Sequence, residues 1–300
     1  MAFADLKNDY VFRRIFGGRP DILCGLLNDL LERRGDHAID AIEYLPSEQL
    51  PVVEGWKLSI LDVRCRERSG TTFIVEMQLL HVAGFMNRVV YNACKAYTSQ
   101  LKRGERYATL RDVVAISICD FILWPDAERD NAKIARVPML SQWGMREESS
   151  GSRGIQQVQY AFLELPKLPE GRPKTGADLW AWLFVHAPEM AEIPADLPPG
   201  VYREAVELAN EATFTSLELD AYQKVMDEIQ QAREYGEGER AEGKAEGKAQ
   251  AILAFLEARG VVVGSETRER IAACTDEAIL NRWIARAAVA TTAAEVIAGT

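Results

Sequence analysis

The chain has 300 residues, 48% of them apolar and 27% charged, which suits an ordinary soluble protein of one to three domains with a full core. It contains no run of about eighteen apolar residues, so no membrane-spanning helix is expected, and the opening MAFADLKNDY is too acidic and too poor in apolar residues for a signal peptide. Five scattered cysteines (Cys24, Cys65, Cys94, Cys119 and Cys274) form no CxxC pair, which argues against a zinc site and for the thiol-reducing cytoplasm. The net charge of -10 speaks against a general nucleic-acid binder, but the acid is unevenly spread: residues 1–110 hold 15 Lys and Arg against 14 Asp and Glu, and residues 111–300 hold 20 against 31.

DYVFRRIFG (9–17) predicts a short amphipathic helix with Val11, Phe12 and Ile15 as its apolar stripe, ended by Gly17 and Gly18. A second helix is predicted over 20–34, with Pro20 at its start and Ile22, Leu23, Leu26, Leu27, Leu30 and Leu31 on one face. IDAIEYL (39–45) alternates as a strand does, and KLSILDVRCR (57–66) and TTFIVEMQLL (71–80) predict two more strands joined across Ser69-Gly70. A long helix follows over 83–101. RDVVAISICDFIL (111–123) is a continuous apolar run and predicts a buried central strand, and IQQVQYAFLEL (155–165) predicts a late strand at the sheet's edge. Trp143, Trp180, Trp182 and Phe184 read as core side chains.

From residue 176 the periodicity is helical, broken by Pro188, Pro194, Pro198 and Pro199, and the unit AEGK repeats at 241–244 and 245–248. There the Glu and Lys pairs favour a helix while each Gly costs it about 1 kcal/mol relative to Ala, which predicts a solvated, marginal helix or hinge. Residues 250–300 read as three short helices. Interleaved helices and strands followed by helices alone predict a mixed α/β sheet flanked by helices, then a helical C-terminal region. The expected divisions are a core over 1–170, a helical extension over 171–232, the repeat as helix or linker over 233–250, and a small helical unit over 251–300.

Three polar residues stand where strands carry Val or Ile: Asp62 in KLSILDV, and Glu76 and Gln78 in FIVEMQLL. Two carboxylates and an amide at such positions must be hydrogen-bonded, bound to a cation, or costly to bury. A three-residue hairpin loop centred on Gly70 sets Asp62 opposite Gln78, with Glu76 diagonal on the same face. A two-residue Ser69-Gly70 loop would instead turn Glu76 and Gln78 to the face opposite Asp62. In the first register two like charges converge, and they resist joint ionisation unless they share a cation. Oxygen ligands on a rigid sheet suit Mg²⁺ or Mn²⁺, which polarises a phosphodiester and activates a water. The plainer account of the same residues is that Asp62 caps the hairpin edge and Glu76 pairs with Arg64 or Arg88.

Several segments, taken in order, resemble the PD-(D/E)XK nuclease superfamily, in particular its transposase-like, recombination-promoting nuclease branch. NDYVFRRIFG is similar to that branch's N-terminal Asp-x-x-Phe-Lys-x-x-Phe-Gly segment, LDVRCRERSGTTFIVEMQ to its Asp…Glu-x-Gln core, and FMNRVVYNACKAYTSQLKRGERYATLRDVVAISICDF to its following helix and strand. The resemblance covers residues 5–125 well and implies a restriction-endonuclease-like α-β-β-β-α-β core and a Mg²⁺-dependent DNA endonuclease acting on double-stranded DNA. It implies that Asp62 and Glu76 are catalytic and hold the metal. Gln78 then stands at the catalytic position that lysine holds in the parent pattern, and Arg13 where the branch often has lysine.

Asp9, Arg13, Arg88 and Tyr91 are the accessory candidates. Asp9 is either an acid near the metal or the cap of the first helix. Arg88, Tyr91 and Lys95 are spaced to share a helix face that could touch phosphates. His37, His81 and His186 are isolated and are not expected to bind metal. Two other readings stay open. One is a catalytically weak or inactive nuclease-fold module for DNA binding or protein assembly. The other is self-association of the helices over 214–258, which is compatible with a dimeric nuclease.

Overall fold

The computed structural model describes residues 2–49, 59–125 and 136–298. Its first helix, α1 (Asp9–Phe16), begins where the Asn8 side chain accepts from the Tyr10 and Val11 N–H groups. The cap is therefore Asn8, and Asp9 lies in the first turn, where its carboxylate pairs with Arg13 instead of capping the helix. Helix α2 (Pro20–Leu30) opens on its proline, whose fixed φ suits the first helical position, and ends at Leu30 rather than at 34.

The strands are β1 (Ile42–Tyr44), β2 (Glu48–Gln49), β3 (Ser59–Ile60), β4 (Val63–Glu67), β5 (Thr72–Gln78), β6 (Val113–Cys119), β7 (Leu140–Trp143) and β8 (Val158–Glu164), and helix α3 (Phe85–Thr98) lies between β5 and β6. Six of them form one mixed sheet in the order β1-β4-β5-β6-β8-β7, while β2 and β3 pair apart. The pairs β1–β4, β4–β5 and β7–β8 are antiparallel, and β5–β6 and β6–β8 are parallel. The order of elements is the α-β-β-β-α-β core of a restriction-endonuclease-like fold.

Three strand expectations are corrected. β8 is not the edge: β7, a short strand of mixed polarity (LSQW), covers it. The strand expected over 57–66 starts at Val63 within the main sheet, because the Leu61 N–H turns away to the Ser47 carbonyl and residues 59–60 pair with β2. Residues 57–58 of that expectation lie outside the described residues. The hairpin register also differs. Val63 faces Val75 and Arg66 faces Thr72, and the closing Glu67–Thr71 pair leaves Arg68-Ser69-Gly70 as the loop. Gly70 has φ +98°, so it fills the left-handed last position of a three-residue loop. Continued by one step, this ladder sets the Asp62 position opposite Glu76 instead of Gln78.

Side chains alternate across β5 and feed two cores. Phe73, Val75 and Met77 join Val63 and Cys65 beneath the apolar faces of α1, α2 and α4 (Gly176–His186). Ile74 joins Phe85, Val89 and Ala93 of α3 and Val113 and Ala115 of β6 on the other face. β6 is buried at every position, as a strand covered on both faces must be. Trp180 and Phe184 are buried, but Trp143 is 39% exposed and stacks on Trp124, so it is not a core residue.

The chain divides into two compact units, Met1–Met226 and Asp227–Thr300. The first also holds α5 (Val201–Leu208) and the start of α6 (Ser216–Ala258), a continuous helix that includes the AEGK repeat. In the second, Ala245, Ala249, Ile252 and Leu256 form one stripe of α6. They pack with residues of α7 (Ser265–Ala272), α8 (Glu277–Ala287) and α9 (Ala293–Ile297). The first of the three short helices expected over 250–300, AILAFLEARG (251–260), is thus the end of α6 and not a separate helix. A Cβ built on Gly243 or Gly247 meets nothing within 4 Å among the described residues, so neither glycine marks a close approach there. No helix among the described residues is long and apolar enough to cross a membrane.

Candidate active site

Because β4 begins only at Val63, the N–H of Met77 on β5 has no strand partner beside it. The Asp62 carboxylate takes that place, with Oδ2 accepting from the Met77 N–H at 2.8 Å. Its other oxygen accepts from Arg13 of α1 at 3.1 Å, and the same guanidinium lies 3.3 Å from Asp9. Asp9, Arg13 and Asp62 therefore form one cluster, in which a single arginine serves two acids. The Asp62 side chain is only 12% exposed. Burial, and then the charge of Asp9, push its carboxyl up to about 7, against the opposing pull of the Met77 N–H and Arg13.

Glu76 stands on the α3 face of β5, beside Ser117 of β6, and is 6% exposed. Asn92 of α3 donates to its Oε1 at 3.2 Å. Burial raises its pKa, while Arg88 and the Asn92 bond draw it back. Gln78, the last residue of β5, accepts through Oε1 from Arg88. Arg88, Asn92, Glu76 and Gln78 thus make a second cluster. One turn along α3, Tyr91 is exposed, and Lys95 is buried with its ammonium 5.7 Å from the Tyr91 ring. The expected shared face therefore divides into two exposed members and one buried one.

Around the end of β5 lie further groups that the sequence did not single out. The Asp120 N–H donates to the Gln78 carbonyl at 2.9 Å, and the Asp120 carboxylate pairs with Lys7 at 3.3 Å. Asp120 was legible as the first polar residue after the buried run of β6. Asn92 was legible as the residue four beyond Arg88, on the same helix face. His81 packs against Phe121 and Phe85. Among the described residues no three His, Cys, Asp or Glu side chains converge as a ready metal cage. The donor chemistry nevertheless fits a hard cation. Asp9 and Asp62 share Arg13 in the first cluster, Glu76 lies with Arg88 in the second, and burial raises the pKa of both Asp62 and Glu76, so each cluster offers carboxylate oxygens of the kind that such an ion takes.

A mixed sheet with an α-β-β-β-α-β core, carrying an acid beside the end of its central hairpin and a Glu-x-Gln on the next strand, defines a nuclease-type fold. The chain belongs to the PD-(D/E)XK nuclease family transposases, whose family model matches residues 6–234, well over half of its length. No curated protein and no solved structure matches it.

Proposed function

We propose that this protein is a Mg²⁺-dependent DNA endonuclease that hydrolyses phosphodiester bonds of double-stranded DNA in the movement or recombination of mobile elements. One observation carries the reading: Asp62, the residue just before β4, and Glu76, which the hairpin register sets opposite that position, are largely buried carboxylates, and burial raises the pKa of each more than its neighbouring arginine lowers it. Such a pair costs stability unless a cation completes it.

Asp62 and Glu76 would hold the ion, with Mn²⁺ as an acceptable substitute. A bound divalent ion supplies polarisation of the phosphoryl group and a lowered pKa for an attacking water. The chain's own residues do the rest. Arg13 keeps Asp62 oriented through a charge-assisted bond, and Asn92 fixes the rotamer of Glu76. The Gln78 amide orients the water or a phosphate oxygen. The acidic second part of the chain favours approach of DNA from the residue 1–125 side. The C-terminal helices would pair two chains, so that two sites act on two strands, and the five free cysteines suit work in the cytoplasm.

The test is conversion of supercoiled plasmid to nicked and linear forms in Mg²⁺. Wild type should cut, and Asp62→Ala and Glu76→Ala should not; equal cutting by all three would remove the assignment. The second reading, a non-catalytic module, is favoured by the burial of Glu76 under α3 and by the neutral Gln78. It predicts retention of DNA with no cleavage in any divalent metal.

A further inference from the structure

Phosphodiester hydrolysis builds negative charge on the phosphoryl oxygens, and a preorganised cation aimed at them lowers the barrier. Gln78 is neutral and cannot supply that charge. The cation beside it is Arg88, whose guanidinium donates to Gln78 Oε1 and whose charge also reaches Glu76, two residues earlier on the same face of β5. We propose that Arg88 is the transition-state cation of this site and that Gln78 is its positioning residue, so that an amide and an arginine together replace the lysine of the parent motif. This rests on the nuclease reading.

Three features favour the assignment. Arg88 is solvent-exposed near the start of α3, so a phosphate can reach it. Its guanidinium lies 5.7 Å from the ring of Phe85, which is itself buried, so the group has a fixed platform as well as a hydrogen bond. One N–H bond to Gln78 leaves the remaining donors of the planar fork for phosphate oxygens. The choice of glutamine then has a physical reason. A glutamate at 78 would neutralise the guanidinium, and a lysine would repel it. An amide oxygen accepts one bond and leaves the full charge in place.

The experiment is single-turnover plasmid cleavage in Mg²⁺ by the full chain, with DNA affinity measured separately in chelator and thermal melts as the folding control. Arg88→Gln should lower the cleavage rate by about 10²-fold while changing DNA affinity by only a few-fold. Arg88→Lys, which keeps the charge, should fall between that variant and wild type. Gln78→Lys alone should be impaired, because it places two cations together. Adding Gln78→Lys to Arg88→Gln should recover at least ten-fold over Arg88→Gln, since the motif then has its lysine. An Arg88→Gln protein that cuts within three-fold of wild type, or a double variant no faster than Arg88→Gln, would overturn the proposal and leave the nuclease reading standing. A wild-type protein that cuts no DNA, while folded and metal-loaded, would overturn both.

Discussion

Replacing Asp62 by Asn should make the metal-free protein more stable at pH 8 while removing its activity. Burial and Asp9 raise the Asp62 carboxyl from 3.8 to about 7. Three pH units of displacement, at about 1.4 kcal/mol each, set an upper bound of about 4 kcal/mol on the cost of holding that charge in the fold. Arg13 offsets part of it, and the 12% exposure of the side chain admits some screening. A gain of roughly 1–3 kcal/mol is therefore expected for the neutral isostere, whose amide oxygen can still accept the Met77 N–H. In a unit of this size that corresponds to about 2–10 °C in Tm.

The sign follows from linkage. A carboxyl whose folded pKa lies above its unfolded value favours folding most when protonated. Its contribution is complete below about pH 4 and is lost as the pH rises through about 7. Thermal unfolding in chelator should therefore separate Asp62→Asn from wild type at pH 8 and bring the two together near pH 4. An Asn variant less stable than wild type at pH 8, or a difference that ignores pH, would refute the claim that Asp62 is an under-compensated charge.

Three other outcomes follow from the same contacts. Millimolar Mg²⁺ or Mn²⁺ should raise the Tm of wild type at pH 8 and should do so far less in Asp62→Asn or Glu76→Gln, as read by the same melts. Asn92→Leu removes the donor on Glu76, so its carboxyl should titrate still higher. The rate profile of cleavage should shift to higher pH, with a stability loss of about 1–3 kcal/mol in urea titrations. Glu164 is fully buried and holds Lys167 at 2.8 Å and the Leu123 and Trp124 N–H groups at 2.6 and 3.2 Å. Glu164→Ala leaves two amides without their acceptor and the part-buried Lys167 ammonium with only the Val137 carbonyl, and should cost about 2–4 kcal/mol in the same titration.

The sheet was legible where one rule acted alone. A continuous apolar run marked β6, a β-branched and aromatic run after Ser69-Gly70 marked β5, and the proline start and apolar stripe marked α2. Sequence reasoning failed where two rules competed. β7 has only LSQW, too short and too polar to stand out, and its absence from the reading made β8 look like an edge. The hairpin loop length was right, but its register was off because Gly70 was placed at the centre. The left-handed conformation belongs at the loop's last position, and applying that rule would have set Glu76 opposite Asp62. The departure of the chain at Leu61 toward Ser47 is a tertiary choice, and no local pattern around Asp62 announces it. The Asp62, Glu76 and Gln78 positions were visible as polar residues in apolar strands. Their partners Asn92 and Asp120 were missed although each left a local signal, because that signal, a polar residue on a helix face or after a buried strand, is common until the sheet brings the residue near.

The most direct test of the account is a crystal of the wild-type protein soaked in Mn²⁺ and measured at the metal's absorption edge. The account predicts anomalous density about 2.1 Å from carboxylate oxygens of both Asp62 and Glu76, beside the Met77 carbonyl. Saturating Mn²⁺ that leaves Asp62 on Arg13 and Glu76 on Asn92, with no peak between the two acids, would contradict it.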